Sequence, residues 1–382
     1  MSLQIALGHN DQKVVEDFLS RQPAATSAIV LDAKAAAKQR HAAEAAAEEG
    51  IKVLWEPATQ LLAAAGYGLE RFPLWGGAPY DVDVLATSLE ARHVLVERTI
   101  AAHPDGTTDV TAPHFYAVSD RAAHLNVDLA EATALQSDRP VRAILTAPQR
   151  YLRSRAAALG EEYHQAGIRH LELRMSPFGG EDESLKKIVD GFQIAQDLTE
   201  AGLHVTLGYS GNLGQVAVAL GHAAAYSVGV GMMEHVNHMT QVNRKSKPPK
   251  PLEDGESGGG PQAGVYLPAL AYTAPLRVAR RLMEQSDLRV RIGCRVGSCG
   301  TSVLGPVLDV RGHYLHSRDL EVATLMAKPA GWRPTAELQR LRQALTLRNQ
   351  INSNYLEVGQ PAIKTRTLDS LIVDIERVQA AS

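Results

Sequence analysis

Cysteine is nearly absent, with 2 in 382 residues. So few cannot staple a chain of this length, so a reducing compartment, by default the cytoplasm, is the expectation. Aromatic residues make up only 5%. No apolar run approaches the roughly 18 residues a membrane span needs, so no membrane association is expected. The opening MSLQIALGHNDQ lacks a basic segment and reaches a charge too soon for a secretory leader. Neither sign of charge dominates, since 39 Lys+Arg stand against 42 Asp+Glu for a net −3. Collagen-like, coiled-coil and globally disordered chains are thereby excluded.

What is present is an ordinary globular composition, 45% apolar and 21% charged. The length suits one large domain of about 250 residues plus an appendage. Charge is unevenly spread. Residues 241–350 carry 17 Lys/Arg (4 Lys and 13 Arg) and 9 Asp/Glu, a local +8, against −11 for the rest. A basic C-terminal third on an acidic body is compatible with a polyanionic partner, and equally with a solvated Arg-rich surface.

Short β-type runs alternate with helical patterns: LQIALGHN, SAIVLDAK, KVLWEPAT, HFYAVSD, RAILTAP, HLELRMS, HVTLGYSG and AYSVGVGM. Each is mostly apolar and ends in a polar or Gly-rich turn, as strands buried on both faces do. The spacing predicts an α/β fold, a (β/α)8 TIM barrel over 1–243, with a doubly wound open sheet as its rival. Residues 60–110 form an excursion from the third unit, with a predicted helix LATSLEARHVLVERTIAA. A loop of that size on a ligand face is often a lid. The stretch 244–263, rich in Pro, Gly and charge, reads as a flexible linker. A smaller, mainly helical and basic module follows at 264–382, with helices near 335–355 and 366–380.

Chemistry in a barrel sits at the C-terminal strand ends. Those ends offer His9, Asn10, Asp32, Lys34, Trp55, Glu56, Ser119, Asp120, Thr146, Gln149, Glu172, Arg174, Ser176, Tyr209, Ser210, Asn212, Glu234 and His235. The acids Asp32, Glu56, Asp120, Glu172 and Glu234 would converge on one mouth. Each also has a plainer use. Asp32 and Asp120 suit helix caps, Glu56 suits a loop before proline, and Glu172 and Arg174 share a strand face and can pair. GYSGNLG (208–214) and GVG (229–231) suit either a phosphate cradle or tight turns. Dinucleotide, P-loop and His-Glu-x-x-His patterns are missing.

Two long passages carry a family likeness. RAILTAPQRYLRSRAAALGEEYHQAGIRHLELRMSPFGG and HVTLGYSGNLGQVAVALGHAAAYSVGVGM resemble the strand–helix–strand segments of the tRNA-guanine transglycosylase superfamily, nucleobase-processing TIM barrels. The chain resembles a divergent member of the DNA glycosylase type that acts in phage defence. VLWEPATQL falls where that family has its acid/base aspartate, which implies that role for Glu56. HFYAVSD falls at its base-recognising aspartate, which implies Asp120. The family's covalent nucleophile is matched by Ser227, a neutral group, unless a shifted alignment brings in Glu234. The implied reaction is therefore hydrolysis of an N-glycosidic bond, with a carboxylate stabilising the sugar centre and activating water.

The resemblance also implies partners and a metal. The substrate base would be flipped from DNA, with tRNA base exchange as the alternative. Asp120, Arg174 and Asn212 would read its edge and Trp55 or Tyr209 would stack on it. Asp32, Glu172, Ser210 and Glu234 complete the base site. Arg244, Lys245 and Lys247 would hold the backbone. The family's zinc run is reduced here to GCRVGSCG, with Val296 replacing one Cys, and Arg348 in TLRN replacing the His. HYLH supplies His313 and His316, so Cys294, Cys299, His313 and His316 can make a tetrahedral structural zinc site. The chemistry itself requires no cofactor. A sugar-phosphate lyase or isomerase barrel and an inactive nucleic-acid-binding barrel are the rivals from other classes. A homo-oligomer is left open.

Overall fold

The structure, a computed structural model, describes residues 2–180, 183–230, 234–248, 264–300, 302, 304–356 and 361–381. Eight parallel strands form one sheet: β1 (Leu3–Ala6), β2 (Thr26–Leu31), β3 (Lys52–Trp55), β4 (Val110–Thr111), β5 (Val141–Ala147), β6 (His170–Met175), β7 (His204–Leu207) and β8 (Ala225–Gly229). Their order is β3-β2-β1-β8-β7-β6-β5-β4, so β1 and β8 pair and the sheet curls into a nearly closed barrel. The β3–β4 seam is bridged by Thr108 N–H donating to Val53 O at 2.8 Å and by the Lys52–Asp109 ion pair at 2.9 Å. The open-sheet rival is thereby set aside.

Strand alternation explains the layers. In HLELRM, Leu171, Leu173 and Met175 face the surrounding helices, while Glu172 and Arg174 face the barrel interior. The outward faces join the helices in one large apolar core. The inward faces of β1–β3 contribute an apolar group, Ala6, Ala28, Val30 and Leu54, while Gln4 donates across the barrel to Thr206 at 3.1 Å and the opposite side carries Arg142, Glu172 and Arg174.

The fourth strand differs from expectation. It precedes HFYAVSD, which is irregular up to the helix Asp120–Gln136. Pro113 has no N–H to give. His114 N–H donates to Thr59 Oγ1 and Phe115 N–H to Asn126 Oδ1, both at 2.8 Å, so side chains take the bonds a neighbouring strand would need. The predicted excursion helix is two helices, Val82–Thr87 and Leu89–Ala102, split where Ser88 caps the second by accepting from Ala91 N–H at 3.1 Å.

Residues 264–382 hold a small core of their own and also contribute to the core of the barrel. Helix Val310–Met326 packs on β1 and on helix Gln12–Leu19, the position of a barrel's eighth helix, and places Tyr314, Leu315 and Val322 in the main core. Asp319 anchors it by accepting from the N–H groups of Ala24, Ala25 and Thr26 at 2.8, 2.9 and 2.8 Å. A small second core lies under the hairpin Gly264–Leu267/Tyr272–Pro275 and helices Leu276–Glu284 and Ser286–Ile292. Helices Arg333–Asn354 and Arg366–Ala381 match the two expected from the sequence. Among the described residues no helix is long and apolar enough to cross a membrane.

The basic segment is less of a surface feature than its charge suggests. Arg318 is fully buried against Glu234, Arg340 pairs with Glu321 and Glu337, and Arg348 donates to the carbonyls of Leu270, Ala271 and Lys364. Arg348, standing where a zinc ligand was sought, thus pins the β-hairpin turn to the helix. Arg277, Arg280, Arg291 and Arg295 are exposed.

Candidate active site at the barrel mouth

The C-terminal strand ends open into a cavity of about 350 Å³. Asp32 and Lys34 enter from the loop after β2, Glu56 from the end of β3, Thr146 from β5, Arg174 from β6 and Tyr209 from the turn after β7. Gln60 and Phe72 come from the excursion. His238, Gln241, Arg244 and Lys245 come from helix His238–Lys245, which lies across the mouth. That helix is docked by His238 N–H donating to Ser176 Oγ at 2.8 Å and by stacking of His238 on Tyr116, with centroids 4.3 Å apart.

Beneath the cavity runs a buried ladder of charge. Arg142 pairs with Glu172, Arg174 Nε donates to Glu172 Oε1 at 2.7 Å, and Arg174 pairs in turn with Glu56. Two guanidiniums and two carboxylates balance, which makes burial of all four tolerable. The i, i+2 pairing of Glu172 and Arg174 is the plain reading of that motif, and Glu172 is spent in it. Burial works against ionisation of Glu56, but Arg174, with Arg142, outweighs it and holds the carboxyl below its ordinary value. Glu56 is therefore an anion at neutral pH, suited to stabilise positive charge or accept a proton, and unsuited to donate one at rest. Its Oε1 also accepts from Ala58 N–H at 3.1 Å, which fixes its direction.

The glycines of GYSGNLG are explained by packing. A Cβ on Gly208 would meet Arg174 Cγ and Glu172 Oε1 at 2.7 Å. Gly211, at φ +49°, leaves room for the Glu234 carboxylate, which occupies the start of helix Gly211–Leu220. The turn is thus filled by the chain's own Glu234 side chain, where a phosphate was one expectation.

Several predicted site residues stand elsewhere. Asp120 is outside the cavity's lining, at the first turn of its helix, where it pairs with Arg155 and accepts from Tyr151 OH at 3.0 Å. Trp55 is fully buried against His103, because it alternates with Leu54 on β3 and points outward to the helices; it cannot stack on a base at the mouth. Glu234 is held by Arg318 and by Tyr314 OH at 2.5 Å, and borders a separate cavity of about 190 Å³ that Ser210 and Asn212 also line. Asn212 there donates to Ala271 O at 2.6 Å and accepts from Arg318 at 2.8 Å. Ser227 is buried and accepts from Tyr209 N–H at 3.0 Å, so it shapes the turn and does not face a substrate. Arg244 and Lys245 end a helix and are not in a linker; Lys247 is exposed just beyond it, and residues 249–263 lie outside the described ones.

Gln60, Phe72, His238 and Gln241 at the mouth were not singled out from the sequence, and neither were two buried residues beneath it, His114 and Arg142. His114 is buried beside Glu56, and its ring has no side-chain hydrogen-bond partner among the described residues. Burial, against the pull of Glu56, lowers it to about 3, so the ring is neutral. Arg142 is lowered to about 10 by burial and by Arg174, and stays charged. The available signal for Arg142 was a charge inside the apolar run RAILTAP.

Away from the mouth, Cys294, Cys299, His313 and His316 place one ligand atom each within 4.8 Å of one another, a set that can hold a metal ion. Cys294 Sγ lies 3.2 Å from His316 Nε2 and Cys299 Sγ 3.6 Å from His313 Nδ1. His313 Nε2 faces Tyr266 O at 2.8 Å, which fixes the tautomer so that Nδ1 carries the lone pair.

No family model and no curated protein matches the chain. Among solved structures it is similar to a mandelate racemase/muconate lactonizing enzyme from Jannaschia sp. CCS1, at 10% identity over 66% of this chain and 67% of that one, TM-score 0.32. It is also similar to the carboxyl transferase domain from Rhizobium etli pyruvate carboxylase with pyruvate and biocytin, at 9% identity over 100% of this chain and 60% of that one, TM-score 0.36. The chain spans about three fifths of that domain's length. Likenesses this faint carry no argument about family, reaction or substrate.

Proposed function

We propose that the protein hydrolyses an N-glycosidic bond in nucleic acid, removing a flipped-out, modified base and leaving an abasic site. The observation that carries this reading is Glu56, an anion held at the barrel mouth by Arg174 in a cavity it shares with Tyr209. An oxocarbenium-like sugar centre requires such a carboxylate beside it, and water would be activated by the same group. Tyr209, whose ring lies 5.1 Å from the Arg174 guanidinium, would border the base, and Arg174 and Thr146 would offer polar contacts to its edge. Arg244 and Lys247, with the exposed Arg277, Arg280, Arg291 and Arg295, supply cations for a phosphate backbone. The resemblance to transglycosylase-like barrels motivates DNA as substrate and antiviral defence as the setting.

The test is a screen of released bases. The protein is incubated with modified viral DNA, unmodified DNA and bulk tRNA, the supernatants are analysed by mass spectrometry, and the strands are treated with alkali. Free base and alkali-labile strands are expected from modified DNA. Incorporation of labelled base into tRNA instead would replace hydrolysis with exchange, although Glu234, the carboxylate that exchange would need, is engaged by Arg318. No release from any substrate removes the reading. The small cavity and its lysines favour, as the second reading, a barrel acting on a sugar phosphate.

The Cys2His2 set suits zinc, with four protein ligands and no open position, and hence a structural role with no part in the chemistry. It ties the Cys294–Cys299 segment to helix Val310–Met326. About one zinc per chain is expected by metal analysis. Chelation or Cys294→Ser is expected to lower the thermal midpoint while base release at low temperature persists. Unchanged stability in a zinc-free preparation would remove the metal.

A further inference from the structure

The mouth contains an amine that the hydrolytic reading leaves unused. Lys245 is half-buried at the end of helix His238–Lys245 and lines the cavity together with Glu56 and Asp32. Its ammonium lies 4.6 Å from the centroid of Phe72, and that of Lys34 lies 5.1 Å from the same ring. Its main chain is fixed, because its carbonyl accepts from Tyr67 N–H at 2.8 Å and a Cβ on Gly66 would come within 3.0 Å of that oxygen. We propose that Lys245 forms an imine with an aldehyde-bearing sugar, and that on nucleic acid this aldehyde is C1′ of an abasic site, making the protein a lyase as well as a glycosidase. Only the identity of the aldehyde rests on the glycosidic reading.

The surroundings fit an amine nucleophile. The groups acting on Lys245 are Lys34 and Asp32 from the loop after β2 and Glu70 and Phe72 from the excursion; Arg244, its neighbour on the helix, lines the same cavity. Burial, and then Lys34, lower its pKa, while Asp32 and Glu70 act in the opposite direction. A lysine is made nucleophilic by desolvation and a neighbouring cation. Two carboxylates line the same cavity to move protons.

The step balances without oxidant or reductant. The free amine adds through Nζ to C1′, and the former carbonyl oxygen leaves as water, giving a protonated imine. Glu56 or Asp32 takes a proton from C2′. The released electron pair passes toward C3′, the C3′–O bond breaks, and the 3′ phosphate departs. Water hydrolyses the imine and frees Nζ.

Borohydride trapping of the full chain tests this. The protein is mixed separately with an oligonucleotide carrying a preformed abasic site and with glyceraldehyde 3-phosphate, each in sodium borohydride, and adducts are located by peptide mass mapping. An adduct on Lys245 is expected, reduced about tenfold or more in Lys245→Arg, which keeps the charge but not the nucleophile. Lys34→Met is expected to move half-maximal trapping to higher pH. An adduct with the triose phosphate but not with DNA keeps the amine and overturns the nucleic-acid reading. Because the abasic site is supplied preformed, failure to release bases leaves this result unaffected. No adduct with either aldehyde, or one on a different lysine, overturns the proposal.

Discussion

Glu56→Gln is expected to lower base release by about 10³-fold, the span assigned to a positioned acid/base group. The amide keeps the shape but loses the negative charge that the sugar centre and the attacking water both require. It also leaves Arg174 with only Glu172 as counter-charge, so a stability loss of a few kcal/mol is expected alongside, about what removing one member of a buried pair costs. Glu56→Asp separates the two effects. It retains the charge but withdraws it by one methylene, so activity should fall steeply while the thermal midpoint moves less. Asp120→Asn is the contrast. Its ion pair with Arg155 is about half-exposed on both sides, and such pairs contribute about 0–1 kcal/mol. Near-normal activity and stability are expected. Full activity in Glu56→Gln would remove the carboxylate from the mechanism, and a large loss in Asp120→Asn would restore the role the family resemblance implied for it.

Acid should destabilise the fold well before the carboxylates titrate. His114 is lowered by burial to about 3, and His103 and His238 to about 4. In the unfolded chain each takes a proton near its ordinary 6.5. The unfolded state therefore gains protons first, so the stability is fully present above 6.5 and is lost as pH falls toward 4 and 3. At pH 4.5 each buried ring is expected to cost about 2–3 kcal/mol, from about 1.4 kcal/mol per pH unit. Glu56, depressed in the fold, adds its own loss only below its ordinary 4.5. Urea midpoints at pH 7.5, 6 and 4.5 would read this, and His114→Asn should flatten the decline. A midpoint unchanged across that range would show that these rings are protonated in the fold. His238 holds the mouth helix against Tyr116, so protection of that helix from hydrogen exchange is expected to fail first.

Some of the mouth was legible in the residues and some was not. Glu56, Asp32, Arg174 and Tyr209 end strands whose apolar runs are plain, and the eight-strand rule placed them at one rim. Trp55 was misplaced although alternation alone forbids it: neighbours on a strand face opposite ways, so Trp55 and Glu56 cannot both look into the mouth. Asp120 and Glu234 could not be assigned, because what removes them from the mouth is a partner distant in sequence, Arg155 for one and Arg318 for the other. HFYAVSD has strand composition, but Thr59 and Asn126 capture its amides. The local charge of 241–350 could not reveal that Arg318, Arg340 and Arg348 are folded inward.

The sequence by itself determined the strand–helix alternation and the placing of His313 and His316 three apart on one helix, since both are matters of local period and residue type. Tertiary structure alone decided which carboxylates line the mouth, Glu56 among them although it too is paired with a buried arginine, Arg174. The pairing of charges inside a barrel depends on which strands become neighbours. It spent Glu172 and Glu234 on buried arginines and left Glu56 and Asp32 facing the cavity, with Lys245 brought to them by a helix from beyond the last strand.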